Sequence, residues 1–334
     1  MNNRSLCLLF YSLCLFWLSP VDAHSGVTFE QFKTMMGQRG SSSWSNLSQK
    51  QLWKERSVKE NFEKAYDQYI RAIKYLSKPA VNTVPKNIHF IWIGPKPFPK
   101  DSIKNLISWK KHHPTWKFFL WTDDPKRELP IKGMRRCLIS NLGLGPFQRF
   151  FEESDNWSEK SDLIRFMIMY KKGGIYSDHD VECVCPLDPL SSHYDFVAGY
   201  APLHPYGHSH NSPFIPNTGI IISRPNHPLM KKVITRLSSR WDMFGKKFPG
   251  EDQKNVVNRV VSRSFDPFVY CVSQFINEDS CQNIILPTCY LQSATAFDKQ
   301  VLAKLKEEGH VYTIHFFDAV WVPGKKKNCS LRTP

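Results

Sequence analysis

Beyond its first two dozen residues the sequence has no apolar run long enough to cross a bilayer, which needs roughly 20 residues as a helix, so no membrane span is expected after the N-terminus. It has no internal repeat and, apart from a serine-rich start, no low-complexity tract. It is short of acid: 30 Asp and Glu stand against 45 Lys and Arg, a net charge of +15 over 334 residues. That imbalance favours an anionic partner, but net charge alone does not choose among nucleic acid, acidic membrane, anionic glycan and nucleotide-linked substrate. The basic residues occur as scattered pairs such as Lys110-Lys111, Lys171-Lys172 and Lys246-Lys247, with one short run at Lys325 to Lys327, and no nucleic-acid-binding motif accompanies them. Nucleic acid is therefore not the expected partner. With 41% hydrophobic and 13% aromatic residues against 22% charged, whole-chain disorder is excluded. The length suits one large domain or two ordinary ones.

The N-terminus carries Arg4, an apolar stretch from Leu6 to Leu18, and small residues at Val21-Asp22-Ala23. This pattern is that of a secretory signal peptide, with cleavage expected after Ala23. Removal takes Cys7 and Cys14 and leaves an odd set: Cys137, Cys183, Cys185, Cys271, Cys281, Cys289 and Cys329. Export permits disulfides, and Cys271, Cys281 and Cys289 are near enough in sequence for a local bridge, although spacing does not assign pairing. Cys183-x-Cys185 has neither the spacing nor the partners of a zinc site. Asn46-Leu-Ser, Asn156-Trp-Ser and Asn328-Cys-Ser would accept N-glycans in a eukaryotic source.

Residues 24 to about 47 show no sustained periodicity. From Ser57 the pattern changes: Ser57-x-x-Glu60 has capping-box spacing, and Phe62, Tyr66, Tyr69, Ile73 and Leu76 recur on one helical face. After Pro85, strand and helix alternate. Strands are expected at Ile88 to Ile93, Trp116 to Trp121, Gly174 to Ser177, Phe196 to Tyr200, Gly219 to Ser223 and Val311 to Phe316. Helices are expected at Ser102 to His112, Glu159 to Lys171, Pro228 to Trp241 and Asp252 to Val261. The alternation predicts an α/β domain with a mostly parallel sheet flanked by helices.

The chemistry concentrates between Ser158 and Leu190. Ser158 can cap a helix on which Asp162 and Arg165, three positions apart, share a face. The helix stops at Lys171-Lys172-Gly173-Gly174, and a short strand then ends in Asp178-His179-Asp180. Ligands of open α/β sheets bind beyond the carboxyl ends of strands. Two carboxylates one residue apart at such an end can approach a hard divalent cation, the usual partner of a diphosphate. Asp-x-Asp alone is more often a solvated turn, and an isolated Asp/Arg pair at this spacing is a modest surface contact; it is their combination that points to a site.

Ser161-Asp162-Leu-Ile-Arg165, then Tyr170-Lys-Lys-Gly173-Gly174-Ile-Tyr176-Ser-Asp178-His-Asp180, then Pro186-Leu187, resembles the glycosyltransferases with a DXD sugar-binding region, family 32, related to the catalytic domains of large glucosylating toxins. Pro85-Lys-Asn-Ile88-His89-Phe-Ile-Trp92-Ile-Gly94 is similar to that family's first strand, Asn217-Thr-Gly-Ile-Ile-Ile-Ser223 with His227-Pro228 to a later strand and helix, and His315 with Trp321 to its closing motif. The resemblance runs from about Pro85 to Trp321. It departs at Val320, where many relatives have Ser, with Asp318 nearby as an additional candidate ligand, and at Gly250-Glu251-Asp252, so acceptor-side residues do not transfer.

The resemblance implies a glycosyltransferase-A fold, Rossmann-like, for a catalytic domain at 85–323; the residue patterns add a signal peptide at 1–23, a linker and N-terminal helical extension at 24–84 and a basic tail at 324–334. It implies metal-dependent transfer, with retention of anomeric configuration, of a hexose or amino sugar from a nucleotide diphosphate sugar to a hydroxyl of a glycan, lipid or protein. Asp162, Arg165, Asp178 and Asp180 are the implied catalytic residues. Trp92, Asp162, Arg165, Tyr176, Asp178, Asn217 and Trp321 would bind the donor, and Asp178, Asp180 and His315 would hold Mn2+ or Mg2+. Plain packing remains the alternative for Trp92, Tyr176 and His315, and turn formation for Asn217. An exported chain would be secreted or periplasmic in a bacterium and would lie in the secretory-pathway lumen in a eukaryote. The rival readings are a catalytically inactive secreted carbohydrate-binding protein and a metal phosphohydrolase using the same carboxylates. Oligomeric state is not legible.

Overall fold

The computed structural model describes residues 26–39, 56–203, 214–275, 282–292 and 296–318. The expected signal peptide, Asn46, Cys281, Val320, Trp321, Asn328, Cys329 and the basic tail lie outside the described residues. The core is a seven-stranded sheet built from β1 (Asn87–Ile91), β2 (Lys117–Thr122), β3 (Met134–Leu138), β4 (Gly174–Ser177), β6 (Phe196–Tyr200), β7 (Pro216–Ser223) and β8 (Asn283–Leu286). Its order is β3-β2-β1-β4-β7-β6-β8. Every neighbouring pair is parallel except the two that involve β7. A separate antiparallel pair joins β5 (Val181–Cys183) to β9 (Thr313–His315).

The helices are α1 (Phe29–Met36), α2 (Arg56–Ile73), α3 (Lys100–His112), α4 (Gln148–Glu153), α5 (Trp157–Lys171), α6 (Asp188–His193), α7 (Pro228–Lys247), α8 (Gln253–Val260), α9 (Asp266–Phe275), α10 (Thr288–Leu291) and α11 (Lys299–Glu307). A five-residue π turn, Val261–Phe265, joins α8 to α9. The expected mostly parallel sheet flanked by helices, with helices preceding it, is the architecture observed. The sequence reading did not anticipate β3, β5 or β8. These are short, and β3 is half polar, with Arg135 and Arg136 exposed, so neither alternation nor a long apolar run marks them.

Several helix starts differ from expectation, α3 beginning at Lys100 rather than Ser102. α2 already includes Arg56, so Ser57 lies within the helix rather than capping it. α5 begins earlier than expected because the Asn156 side chain, not Ser158, accepts from the N–H groups of Ser158 and Glu159. The same carboxamide that reads as a glycan acceptor thus serves as a helix cap. The aromatic stripe of α2 does pack as its spacing predicts: Phe62, Tyr66 and Tyr69 meet Phe29 and Phe32 of α1 at ring separations of 5.2 to 5.5 Å. Buried Tyr69 and Tyr290 hydroxyls, 2.8 Å apart, tie this extension to α10.

The Gly173-Gly174 pair ends α5 and starts β4. Both glycines have positive φ, 60° and 101°. A β carbon at Gly173 would lie 2.6 Å from the Pro225 nitrogen, and one at Gly174 2.5 Å from the Asn87 carbonyl oxygen. The chain can therefore reverse only with glycine here, which sets β4 directly behind α5 and brings Asp162 and Arg165 over the strand that leads to Asp178. Among the described residues Cys137, Cys183, Cys185, Cys271 and Cys289 are free thiols, and no helix is long and apolar enough to cross a membrane.

Candidate donor and cation site

β1, β2 and β4 are parallel, so their carboxyl ends share one edge of the sheet, and antiparallel β7 begins there. That edge carries Trp92, Asp178 and Asn217. His315 arrives through a different sheet: β5 leaves the Asp178-His179-Asp180 turn and pairs with β9, with Val181 opposite His315.

Asp178, Asp180 and His315 each offer a ligand atom, and these atoms lie within 4.8 Å of one another. His315 Nε2 is 3.3 Å from Asp180 Oδ1 and 3.9 Å from Asp178 Oδ2. The other ring nitrogen, Nδ1, donates to Gln292 Oε1 at 2.6 Å, which leaves Nε2 turned to the carboxylates, the arrangement a ligating histidine requires. The backbone N–H of Asp318 donates to Asp180 Oδ2 at 2.7 Å. Asp318 thus steadies the cluster through its main chain, and its carboxylate is not among the three clustered donors. Burial works to lower the His315 pKa, but the Asp180 carboxylate outweighs it and holds the imidazole above its ordinary value. Burial likewise opposes ionisation of Asp180, and His315 overcomes it, keeping that carboxyl well below the usual range. Two hard oxygen donors and one imidazole suit Mn2+ or Mg2+.

Arg165 is the hub of the neighbouring cluster. Its Nη2 lies 3.3 Å from Asp162 Oδ1 and 3.1 Å from Asp178 Oδ1, and its Nη1 donates to the Thr218 carbonyl at 2.9 Å. The guanidinium stacks 4.4 Å from the centre of the Tyr176 ring, and the Tyr176 hydroxyl donates to Asp178 Oδ1 at 2.6 Å. Burial raises the Asp162 pKa, against the pull of Arg165 and of the Ser264 hydroxyl that donates to Oδ2. Arg165 Nε is buried without a hydrogen-bond partner among the described residues. Exchanging buried ion clusters for apolar side chains is often neutral or stabilising by about 1–4 kcal/mol. Stability therefore does not account for this cluster, whereas a bound anion or sugar would use it.

The structure thus joins Asp162, Arg165, Tyr176, Asp178, Asp180 and His315 in one chain of contacts. Trp92 is adjacent: its indole packs edge-on to His179 at 5.1 Å and to Phe98 at 5.4 Å, and its Nε1 donates to the Lys96 carbonyl at 2.8 Å. Asn217 Oδ1 accepts from the Gly219 N–H at 2.6 Å, so its carbonyl oxygen shapes the strand start.

Sequence reasoning missed four contributors. Ser264 comes from the π turn, a feature frequent at functional sites; Gln292 orients His315; and Ser102 and Asn105 of α3 hold His179, at 2.8 Å to its Nδ1 and 3.0 Å to its carbonyl. No local pattern announces any of them, because each acts across long sequence separations.

Gly219 carries a sharp test. A β carbon there would lie 2.6 Å from His315 Cε1 and 2.9 Å from Asn217 Oδ1. Gly219→Ala should displace the imidazole and weaken Mn2+ binding by about 10- to 100-fold, the effect typical of disturbing a ligand's support. Titration calorimetry checks it, and an unchanged Mn2+ affinity would refute the placement of His315 at the cation site.

Residues 99–197 match the family model described as glycosyltransferase sugar-binding region containing DXD motif. Inositol phosphoceramide mannosyltransferase 1 of Schizosaccharomyces pombe is 27% identical over 169 residues, 50% of this chain and 46% of that protein. Subversion of eukaryotic traffic protein A of Legionella pneumophila is 29% identical over 128 residues, 34% of this chain and 20% of that protein. The chain thus spans less than half the length of these curated relatives. Among solved structures, the PaToxG glycosyltransferase superposes with a TM-score of 0.43 and 20% identity over 73% of this chain and 86% of that one. The galactosyltransferase LgtC, solved with donor and acceptor sugar analogs, gives a TM-score of 0.41 at 12% identity over 74% of this chain and 91% of that one.

Proposed function

On the premise that residues 99–197 are a glycosyltransferase sugar-binding region containing the DXD motif, we propose that this protein is a metal-dependent, retaining glycosyltransferase of the glycosyltransferase-A type. It moves a hexose or amino sugar from a nucleotide diphosphate sugar to a hydroxyl of a glycan, lipid or protein. The observation that carries this reading is the juxtaposition of the Asp178, Asp180 and His315 donors with a buried Arg165 guanidinium. The names of the Schizosaccharomyces relatives make mannose the first donor sugar to test and a phosphoinositol lipid the first acceptor. The apolar N-terminal stretch supports an exported protein.

In this reading Asp178, Asp180 and His315 hold Mn2+ or Mg2+, which when bound supplies positive charge against the departing diphosphate. The protein's own residues do the positioning. Asp162 accepts hydrogen bonds from sugar hydroxyls. Arg165, pinned by Asp162, Asp178 and Thr218, offers its unspent Nε–H to a donor oxygen, a role suited to a rigid guanidinium. Tyr176 locks Asp178 toward the ribose or cation, Trp92 flanks the base, and Asn217 and Trp321 complete the donor contacts. Developing positive charge at the anomeric carbon is met by fixed carboxylates, so no enzyme nucleophile is required. The acceptor attacks from the face the diphosphate leaves, and the leaving phosphate takes its proton.

The test is incubation of the purified chain with Mn2+ and a panel of nucleotide sugars, following release of nucleoside diphosphate. Release from one or more donors, abolished by chelation, is expected. Inorganic phosphate from simple phosphoesters would instead identify a phosphohydrolase, and silence from folded, metal-loaded protein would leave only carbohydrate binding.

A further inference from the structure

We propose that the outer face of α3 docks this protein on an anionic membrane surface. At 3.6 residues per turn, Lys100, Ile103, Lys104, Ile107, Lys110 and Lys111 fall on one contiguous face of this helix. That face holds four lysines, two isoleucines and no acid. Asp101, the single acid of α3, falls outside it. Ile107 is 55% exposed, the largest exposure among the large hydrophobic residues described. It borders a depression of about 470 Å³ whose other walls are Lys110, Lys111, Pro130, Ile131 and Lys132. The depression is held in shape by Lys110, whose Nζ donates to the Lys132 carbonyl.

The composition of this face selects the occupant. Lysines alone would suit any polyanion, but an exposed isoleucine among them, Ile107, gains nothing from a phosphodiester backbone, which offers charge and sugar edges. At a bilayer interface Ile107 enters the headgroup and acyl boundary while exposed Lys100, Lys104 and Lys111 lie along it with their ammonium groups toward lipid phosphates; half-buried Ile103 packs on the core beneath. Each basic residue near such a surface adds attraction, and the effect falls away with salt.

The inner face of the same helix is the one that holds the Asp178-His179-Asp180 turn. Ser102 and Asn105 bond His179, and Trp109 Nε1 donates to the Val181 carbonyl at 2.9 Å. Docking through the outer face would therefore set the Asp178–Asp180 turn one helix diameter, about 10 Å, from the lipid headgroups. The proposal stands whether or not the transferase reading holds, because vesicle binding requires no turnover.

The test is cosedimentation of the full chain with phosphatidylcholine vesicles and with vesicles in which phosphatidylserine replaces a third of the lipid. Only the increment due to phosphatidylserine counts, which removes binding through the apolar N-terminal stretch. That increment is expected to be present at low salt, to fade as salt rises, and to fall at least about tenfold in the Lys110→Glu, Lys111→Glu double variant. Ile107→Asp should also reduce it, and the charge-matched Lys246→Glu, Lys247→Glu variant should retain it; matched circular dichroism and melting establish that each variant is folded. Should the Lys110 pair not fold, Lys104→Glu with Lys111→Glu addresses the same face. No phosphatidylserine increment, equal loss in the two double variants, or tighter binding to duplex RNA or heparin with Ile107→Asp neutral would each overturn the proposal.

Discussion

Asp180→Asn should lower metal-dependent release of nucleoside diphosphate about a thousandfold while leaving the fold intact. Asp180 is 4% exposed and bonded at both oxygens, Oδ1 facing His315 Nε2 and Oδ2 accepting the Asp318 N–H. Asparagine keeps one oxygen for the Asp318 N–H but removes the negative charge. His315 then loses the carboxylate that most favours its protonated form, while burial, which opposes that form, remains; the two changes run in the same direction, which limits the cost of a buried charge left without its partner. In the proposed mechanism what disappears is a charged ligand of the cation that would meet the leaving diphosphate. Losing one preorganised electrostatic contact typically costs about 100- to 1,000-fold in turnover, and weaker metal retention adds to it. The check is a steady-state comparison at the Mn2+ concentration that just saturates the parent, with matched melting curves. A variant that keeps a tenth or more of the parent rate would show that Asp180 does not support the chemistry.

Acid should unfold this protein well before its carboxylates are protonated. His89, His113, His227 and His310 are buried, and burial, the largest influence on each, pushes their pKa from 6.5 down to about 4. His89 accepts the Trp121 Nε1–H on Nδ1 at 3.1 Å, and His113 accepts the Leu187 N–H on Nε2 at 2.9 Å, so a proton has no place on those nitrogens. Because the folded pKa lies below the unfolded one, the unfolded chain binds more protons between pH 6.5 and 4. The stability these groups contribute is therefore complete above pH 6.5 and is lost as pH falls toward 4. By pH 5 each costs about 2 kcal/mol, so four together approach the roughly 5–15 kcal/mol that stabilises a typical domain. His315 works in the opposite sense, since its raised pKa favours the fold below pH 6.5 and loses that advantage as pH rises, but it is one group against four. Urea melts at pH 7 and pH 5 should show a marked drop in midpoint, partly recovered in His89→Gln. A midpoint indifferent to pH over this interval would mean that the imidazoles are not held neutral.

The local signals were reliable where one short stretch did its work alone. Gly174–Ser177 and Phe196–Tyr200 were legible to the residue, the first because a glycine start and a serine stop bracket an Ile-Tyr pair, the second because it is a short run of apolar and aromatic residues bounded by Asp195 and Ala201-Pro202. The Asp162/Arg165 pair and the Asp178-His179-Asp180 turn were legible for the same reason, since helix periodicity and a strand end are properties of neighbouring residues. β3 and β5 were not legible, because their pairing comes from β2 and β9 rather than from any pattern of their own.

From the sequence alone came the α/β alternation, the carboxylates at the strand end, the basic balance and the glycines that turn α5 into β4, all of them consequences of short-range geometry. The tertiary structure alone decided that His315 reaches Asp180 through the β5–β9 pair, that Gln292 turns the imidazole, that Ser264 reaches Asp162 from a π turn, and that α3 presents lysine and isoleucine outward while gripping His179 inward. Those contacts depend on how distant segments pack, and burial rather than residue identity sets which charges they hold.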